Sequence, residues 1–260
     1  MLKKGDKVAL VCNSDPRREE EREQITEVIK KLEGRGLVPI YGDYLYESLT
    51  GQERAQILMD YYRDPDMKVI FDVSGGNLAN GVLSHLDYEE IAENLVIFCG
   101  YSDLTTLVNA IYARTGKASV LYQIRNIVSV SHEDLFHIDY EFVQGSKLRG
   151  IVVGGNVRSF LKLAGTPYMP DLRGKVLLLE ARSGLDKQVE TYMAQLSQMR
   201  VFEQVSGVLL GTFSKLEAIE GMPRQEEILK KYVREDFPIA VTRNIGHGLD
   251  SKAIWIGKEL

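Results

Sequence analysis

The sequence is poor in side chains that cross-link chains or bind metals: its 260 residues include two cysteines and four histidines. Cys12 and Cys99 fall in apolar runs that predict buried strands, so we expect reduced thiols, as in a cytoplasmic protein. A nucleophilic Cys99 stays open as an alternative, which burial in a strand disfavours. His132 and His137 lie near acidic residues, but their spacing matches no strong zinc pattern and is typical of a surface connector.

Long basic runs and long apolar runs are also absent from the sequence. The 37 acidic residues outnumber the 32 basic ones, and the net charge of −5 does not suggest a nucleic-acid partner. The first apolar run, Val8 to Cys12, is too short for a signal-peptide core, and no run is long enough to span a bilayer. We therefore expect a cytoplasmic protein with no membrane partner.

What the chain does contain is a regular alternation of apolar runs and helical periodicities. Apolar runs at 7–12, 37–41, 67–73 and 95–99 predict strands, and the segments between them predict helices. Thr50 and Glu53 form the capping-box pattern that starts one of these helices. Such alternation is typical of an α/β fold with a mostly parallel sheet covered by helices. We assign this N-terminal domain to residues 1–123.

The second half of the chain repeats the pattern after a less regular stretch. Residues 124–149 are mixed in polarity and are interpreted as a connector between domains. Apolar runs at 150–153, 175–180 and 207–213, with shorter ones near the C-terminus, predict a smaller C-terminal α/β domain over residues 150–260. Ligands of such sheets bind beyond the carboxyl ends of the strands, so side chains at those ends are the candidates for function.

Ser102 occupies a turn between a predicted strand and a predicted helix. The apolar run ends at Cys99, Gly100 allows a sharp turn, and helical spacing begins at Asp103. A serine in such a turn can present its hydroxyl next to the free N–H groups of the first helical turn, which stabilise an oxyanion. The alternative is an ordinary helix N-cap, a role for which serine is favoured, and Leu104 stands where the full G-x-S-x-G pattern has glycine.

Two further side chains at predicted strand ends complete a set suited to acyl transfer. Glu180 ends a strongly apolar strand, and His247 lies between two glycines that leave space for a ligand. A serine hydroxyl needs a histidine to take its proton, and the imidazole needs a carboxylate to orient it. Taken singly, a solvated Glu180 and a structural His247 remain open. A glycine loop, Gly75-Gly76-Asn77, follows the third predicted strand and is either a tight turn or a place of close approach to a ligand.

These motifs together resemble the LD-carboxypeptidases and the related microcin C7 self-immunity peptidases. The resemblance runs from Val8 to Gly248 and is weakest across 124–149, where family members have a longer linker. Its most specific pieces are the segments 100–107, 110–116, 154–156, 165–175, 177–180, 207–211 and 246–248. The resemblance implies a two-domain α/β fold with the active site between the domains, a homodimer, and no metal or other cofactor.

The resemblance also implies a role for each site residue. Ser102 would be the nucleophile, His247 the general base and Glu180 its orienting carboxylate. The backbone N–H groups of Asp103 and Gly76 would form the oxyanion hole. Substrate contacts are then expected from their neighbours, which are Gly75, Asn77 and Tyr101.

The implied reaction is hydrolysis of an amide beside a free carboxylate in a small peptide or murein fragment. In the LD-carboxypeptidases this removes terminal D-alanine from murein tetrapeptide, and the microcin relatives cut an amide that joins a peptide to a modified nucleotide. Arg125 or Arg149 could hold the substrate carboxylate, although solvated arginines are common. Three alternatives stay open: the microcin type of amidase, an esterase or amidase on unrelated substrates, and a non-catalytic protein that binds a nucleotide or another phosphorylated ligand at its two Gly-Gly-Asn loops.

Overall fold

The computed structural model describes residues 2–129, 134–221 and 223–260, and its strands form two sheets. The first sheet contains β1 (Lys7–Val11), β2 (Val38–Ile40), β3 (Met67–Asp72), β4 (Ile97–Gly100), β5 (Ser119–Leu121) and β11 (Ile254–Ile256). The second contains β6 (Glu141–Gln144), β7 (Val152–Asn156), β8 (Val176–Ala181), β9 (Gly207–Phe213) and β10 (Ile239–Val241). Both sheets are mostly parallel, so the predicted α/β class is confirmed.

Helices alternate with the parallel strands in both halves of the chain. They are α1 (Arg22–Gly34), α2 (Gly51–Arg63), α3 (Tyr88–Glu93), α4 (Thr105–Thr115), α5 (Val157–Leu161), α6 (Asp186–Gln198), α7 (Val201–Gln204), α8 (Ser214–Glu220) and α9 (Arg224–Lys230). The predicted capping box is confirmed: the Glu53 N–H donates to Thr50 Oγ1 over 3.2 Å, and the Thr50 N–H donates to the Glu53 carboxylate over 2.7 Å. No helix in the described ranges has the length and apolar character needed to cross a membrane.

The strand order places two edge strands differently from the sequence analysis. The first sheet has the order β11-β5-β4-β3-β1-β2, and the second has the order β6-β10-β9-β8-β7. Strand β11 therefore joins the sheet of the predicted N-terminal domain, although it lies in the range 150–260. Strand β6 lies in the predicted connector and pairs antiparallel with β10. The limits of the two domains remain a prediction. The apolar run of β11 predicts a strand but not the sheet that it joins, and β6 is too short to be marked by periodicity.

Helix α4 lies between the two sheets and explains how they approach one another. Every residue from Thr105 to Ile111 is buried, as expected for a helix with protein on all sides. The Asn109 side chain exchanges two hydrogen bonds of 2.8 Å with the backbone of Gly154, and the Asn156 N–H donates to Thr105 Oγ1 over 2.9 Å. The side chains of α4 thus pair with the backbone of β7, and this contact sets the distance between the sheets.

Gly155 is required by this close approach. Its φ is +132°, and a Cβ there would lie 2.7 Å from Thr105 Oγ1 and 3.1 Å from Leu121 Cδ2. Helix α4 therefore packs directly against Gly154-Gly155-Asn156, the second of the two Gly-Gly-Asn segments, at the end of β7. This segment is not available to bind a nucleotide or phosphate. That part of the non-catalytic alternative is wrong.

Gly155→Ala should destabilise the fold by roughly 2–4 kcal/mol, because overpacking against Thr105 adds to the strain of a backbone region that only glycine adopts easily. The control is Gly165→Ala, where φ is +75° and no atom lies within 4 Å of the new Cβ, so we expect about 1 kcal/mol. Urea unfolding followed by circular dichroism measures both. Equal losses for the two variants would contradict the role given to the α4–β7 contact.

Candidate active site

Ser102 lies in a sharp turn between β4 and α4. Its φ is 58°, in the left-handed region that residues other than glycine rarely adopt, and it begins a 3-10 turn over Ser102–Leu104. Tyr101, not Ser102, holds the cap position of this turn, and the hydrogen bond of Ser102 Oγ goes to His247 Nε2. The N-cap interpretation of the hydroxyl is therefore wrong. Backbone strain of this kind is costly and is typical of functional sites, where it fixes the direction of a side chain.

The structure brings Ser102, His247 and Glu180 into one chain of hydrogen bonds. His247 Nε2 lies 3.1 Å from Ser102 Oγ, and His247 Nδ1 lies 2.8 Å from Glu180 Oε2. Because a carboxylate accepts hydrogen bonds, the Nδ1 proton faces Glu180 and leaves Nε2 free to accept the Ser102 proton. Ser102 comes from the first half of the chain and the other two from the second half. The arrangement is suited to general-base activation of a hydroxyl.

Glu180 is held in place by Asn156 as well as by His247. The Glu180 side chain is fully buried at the carboxyl end of β8, where β7 pairs Asn156 with it. Asn156 Nδ2 donates to Glu180 Oε1 over 3.1 Å, and Asn156 Oδ1 accepts the Ser159 N–H that starts α5. Both carboxylate oxygens therefore have partners, which buried charge requires. Sequence reasoning missed this role of Asn156, although asparagine after a strand and before a helix is a strong capping signal.

Tyr101 lies beneath the imidazole. Its ring meets His247 edge-on with centroids 4.9 Å apart, and the residue is only 2% exposed. Burial and the nearby negative charge of Glu180 raise the pKa of its phenol well above the usual value. The predicted contact of Tyr101 with substrate remains a prediction. The structure places its side chain against the His247–Glu180 pair.

Asp103 is anchored from several directions although it is fully buried. Its Oδ2 accepts from Ser14 Oγ over 2.7 Å and from the Ala79 N–H over 2.9 Å, and its Oδ1 accepts from Ser159 Oγ and Lys162 Nζ. These donors come from both halves of the chain. The first hydrogen bond of the turn runs from the Leu104 N–H to the Tyr101 carbonyl. The Asp103 N–H lies one residue before this donor in the chain. It is therefore one of the N–H groups that a helix start leaves available.

The predicted glycine loop follows β3 and lies beside the turn that carries Ser102. A Cβ added at Gly75 would lie 3.8 Å from Ser102 Cβ and 4.0 Å from its Oγ. Gly76 has φ +134°, and a Cβ there would overlap the Asp15 carboxylate. Gly75 therefore lies beside Ser102, and glycine is required at Gly76 by its positive φ and by the approach of Asp15. The contribution of the Gly76 N–H to an oxyanion hole remains a prediction.

Asn77 is exposed, and its side chain is held by a residue from the second half of the chain. Arg158 donates to Asn77 Oδ1 over 2.6 Å and to the Gly76 carbonyl over 2.8 Å. Lys162 Nζ donates to the Asn77 carbonyl over 2.9 Å. The glycine loop therefore takes its position from α5 and the residue that follows it. Arg158 and Lys162 carried no motif that sequence reasoning could have used.

The predicted connector supports the loop that carries His247. Asn126 Nδ2 donates to the Gly248 carbonyl over 3.0 Å. The Asp139 N–H donates to Asn244 Oδ1 over 2.7 Å, and the Asp139 carbonyl accepts from Thr242 Oγ1. Residues on both sides of His247 are therefore held by the stretch 124–149.

The other side chains that the sequence suggested for catalysis or metal binding are not part of the Ser102–His247–Glu180 hydrogen-bond chain. Cys99 is buried, and burial raises the pKa of its thiol far above the usual value, which disfavours a thiolate nucleophile. His137 is exposed and contacts Asp139, whereas His132 lies outside the described residues. In the described part of the chain, no cluster of three or more His, Cys, Asp or Glu side chains could hold a metal ion.

Comparison with known proteins gives two family matches. The model of the LD-carboxypeptidase N-terminal domain matches residues 8–122, and that of the LD-carboxypeptidase C-terminal domain matches residues 149–260.

Three relatives illustrate the range of the similarity. A Bacillus subtilis protein named a probable murein peptide carboxypeptidase is 27% identical over 98% of this chain and 88% of its own. The microcin C7 self-immunity protein MccF of Escherichia coli is 26% identical over 86% of this chain and 80% of its own. The crystal structure of an MccF-like protein from Bacillus anthracis superposes with a TM-score of 0.86 and 27% identity, over 99% of this chain and 93% of that one. The two domain matches cover most of the sequence, and the chain belongs to the LD-carboxypeptidase family of peptidases.

Proposed function

We propose that this protein is a serine carboxypeptidase that hydrolyses an amide next to the free C-terminus of a small peptide. The observation that carries the proposal is the hydrogen-bond chain from Ser102 through His247 to Glu180, assembled from both halves of the chain. Membership of a peptidase family supports it. The substrate we propose is murein tetrapeptide, from which the enzyme removes terminal D-alanine in the cytoplasm.

The proposed reaction has two steps. His247 Nε2 takes the Ser102 proton as Oγ bonds to the amide carbon, and the carbonyl oxygen becomes an oxyanion held by the N–H groups of Asp103 and Gly76. The imidazolium, stabilised by Glu180, gives its proton to the amide nitrogen, the C–N bond breaks, and the amine leaves. Water then attacks the Ser102 ester with His247 again as base, which releases the acid and restores the hydroxyl.

A second candidate is cleavage of an amide that joins a peptide or amino acid to a nucleotide. Its support is the similarity to MccF, whose 26% identity to this chain is close to the 27% of the murein carboxypeptidase relative. The test that distinguishes the two candidates measures kcat/KM for two reactions side by side. One is release of D-alanine from murein tetrapeptide, and the other is release of nucleotide from an aminoacyl nucleotide amide. The proposal fails if neither compound, nor any peptide with a free C-terminus, is cleaved.

Ser102→Ala should lower kcat by at least about 10⁴-fold, because the substitution removes the attacking oxygen. The assay measures amine release from the tetrapeptide in samples quenched at successive times. Ser48→Ala, at an exposed serine, is the matched control and should retain wild-type activity. A Ser102→Ala protein that keeps full activity would show that another group is the nucleophile.

Glu180→Gln should lower kcat by about 10²- to 10⁴-fold with little change in fold. The amide has nearly the same shape as the carboxylate, but it can no longer stabilise the imidazolium or fix the Nδ1 proton. Near-ultraviolet circular dichroism checks that the buried site is retained. Wild-type kcat in a folded Glu180→Gln protein would remove Glu180 from the mechanism.

Lys162→Met should lower kcat at least 10-fold while changing KM less. The substitution removes the cation that pairs with the buried Asp103, and Asp103 carries the proposed oxyanion donor. Lys231→Met, which breaks an exposed pair with Glu190, is the control and should leave both constants unchanged. A loss confined to KM would indicate substrate binding by Lys162 rather than positioning of the turn.

A further inference from the structure

The guanidinium of Arg54 is buried between two loops that border the candidate active site. Arg54 lies in α2 and is only 7% exposed, which is unusual for a charged side chain. Its Nη1 donates to the Ser14 carbonyl over 2.8 Å, and its Nη2 donates to the Leu78 carbonyl over 3.3 Å. Ser14 lies after β1, and Leu78 lies after β3, just beyond the glycine loop. One side chain from α2 therefore holds both loops.

Ser14 connects Arg54 to the turn that carries the proposed nucleophile. The Ser14 hydroxyl donates to Asp103 Oδ2 over 2.7 Å and accepts from the Leu78 N–H over 3.3 Å. The carbonyl that Arg54 holds and the hydroxyl that Asp103 accepts thus belong to one residue. A shift of Ser14 would take a donor away from the buried Asp103 carboxylate, and Asp103 also carries a proposed oxyanion donor.

Asp15 connects the same loop to Gly76, whose N–H is the second proposed oxyanion donor. Asp15 Oδ1 accepts from the Asn77 N–H over 3.0 Å, and Asp15 forms an isolated backbone bridge with Gly75. The residues on both sides of Gly76 are therefore bound to Asp15. Since Asp15 directly follows the residue whose carbonyl Arg54 holds, the position of Gly76 depends on the same buried guanidinium.

The positive charge of Arg54 lies among three carboxylates. Burial lowers the pKa of its guanidinium, and the negative charges of Asp72, Asp15 and Asp103 oppose this change. An oxyanion at Ser102 would add a further negative charge to this region. A buried cation in the same region reduces the repulsion between the carboxylates and the oxyanion, because charges interact more strongly in the interior than in water.

We propose that Arg54 is a positioning residue of the oxyanion hole, which keeps the N–H groups of Asp103 and Gly76 within reach of the same oxygen. This inference rests on the proposed function, because it requires a tetrahedral intermediate at Ser102. The contacts of Arg54 are with backbone carbonyls, so it acts through the two loops rather than on the substrate. A guanidinium suits this role because its rigid, planar fork presents separate N–H donors to two carbonyls.

The test uses a murein tripeptide aldehyde, which is the acyl part of the proposed substrate with an aldehyde at the scissile carbon. Ser102 Oγ bonds to the aldehyde carbon, the Ser102 proton passes to His247, and the carbonyl oxygen becomes an oxyanion. The adduct therefore occupies the proposed oxyanion hole without a leaving group. Its dissociation constant, measured by calorimetry, reports how well the two N–H groups hold the oxyanion.

Arg54→Met should lower kcat about 10- to 100-fold and weaken aldehyde binding by a similar factor, with KM changed by less than about threefold. Methionine fills the space of the stem but holds neither carbonyl. Arg54→Lys keeps the charge without the fork, so its losses should be smaller and should again affect kcat and aldehyde binding together. The matched control is Arg63→Met in the same helix, which breaks a surface pair with Glu90 and should change neither quantity.

The affinity for the aldehyde separates positioning from loss of folded protein. A partly unfolded variant would bind fewer equivalents of aldehyde at unchanged affinity. Unchanged aldehyde affinity in folded Arg54→Met overturns the proposal, and if that variant does not fold, the affinity of Arg54→Lys decides instead.

The same titration separates this inference from the proposed function. Weaker aldehyde binding by Arg54→Met, in an enzyme that cleaves neither murein tetrapeptide nor other peptides, supports the oxyanion hole and refutes the peptidase. Cleavage of the tetrapeptide with equal kcat by the wild type and Arg54→Met refutes the role of Arg54 and leaves the peptidase intact.

Discussion

The contact between α4 and β7 is the constraint on which the site depends. Asn109 and Thr105 pair with backbone groups of Gly154 and Asn156, and Gly155 leaves no side chain between helix and strand. Helix α4 continues directly from the turn that carries Ser102, while Asn156 holds Glu180. The same contact thus fixes both ends of the Ser102–His247–Glu180 chain relative to one another. A shift of even 1 Å between the sheets would break the 3.1 Å approach of His247 to Ser102.

Two buried carboxylates near the strand ends, those of Asp103 and Asp72, lie in this closely packed part of the protein. Each accepts hydrogen bonds from several polar donors. Asp103 accepts from four groups, and Asp72 accepts from the backbone and side chains of Asn13 and Ser74. Burial raises the pKa of Asp72, and its hydrogen bonds oppose that change. Such networks order the loops after β1 and β3 because any displacement leaves a buried acceptor without a donor.

Much of this arrangement could be predicted from the sequence, because it depends on local patterns. The parallel strands are continuous apolar runs, and Ser102, Glu180 and His247 stand at segment ends where a parallel sheet gathers its ligand-binding residues. The roles of Arg158 and Lys162, the strand β6 and the sheet that β11 joins could not be predicted in this way. Arg158 and Lys162 act on partners that lie 59 to 85 residues away, and the two strands take their places by pairing between distant chain segments. No periodicity within either segment encodes such pairings.

The strained backbone at Ser102 departs from an otherwise well-satisfied interior. A left-handed serine costs folding free energy, and the turn keeps this conformation because the packing of α4 against β7 holds it. The same conformation holds Ser102 Oγ 3.1 Å from His247 Nε2. A fold selected for stability alone would place glycine at position 102, since glycine adopts the left-handed region without strain. Glycine has no hydroxyl to offer His247, so the strain at Ser102 is better explained by the reaction that we propose than by stability.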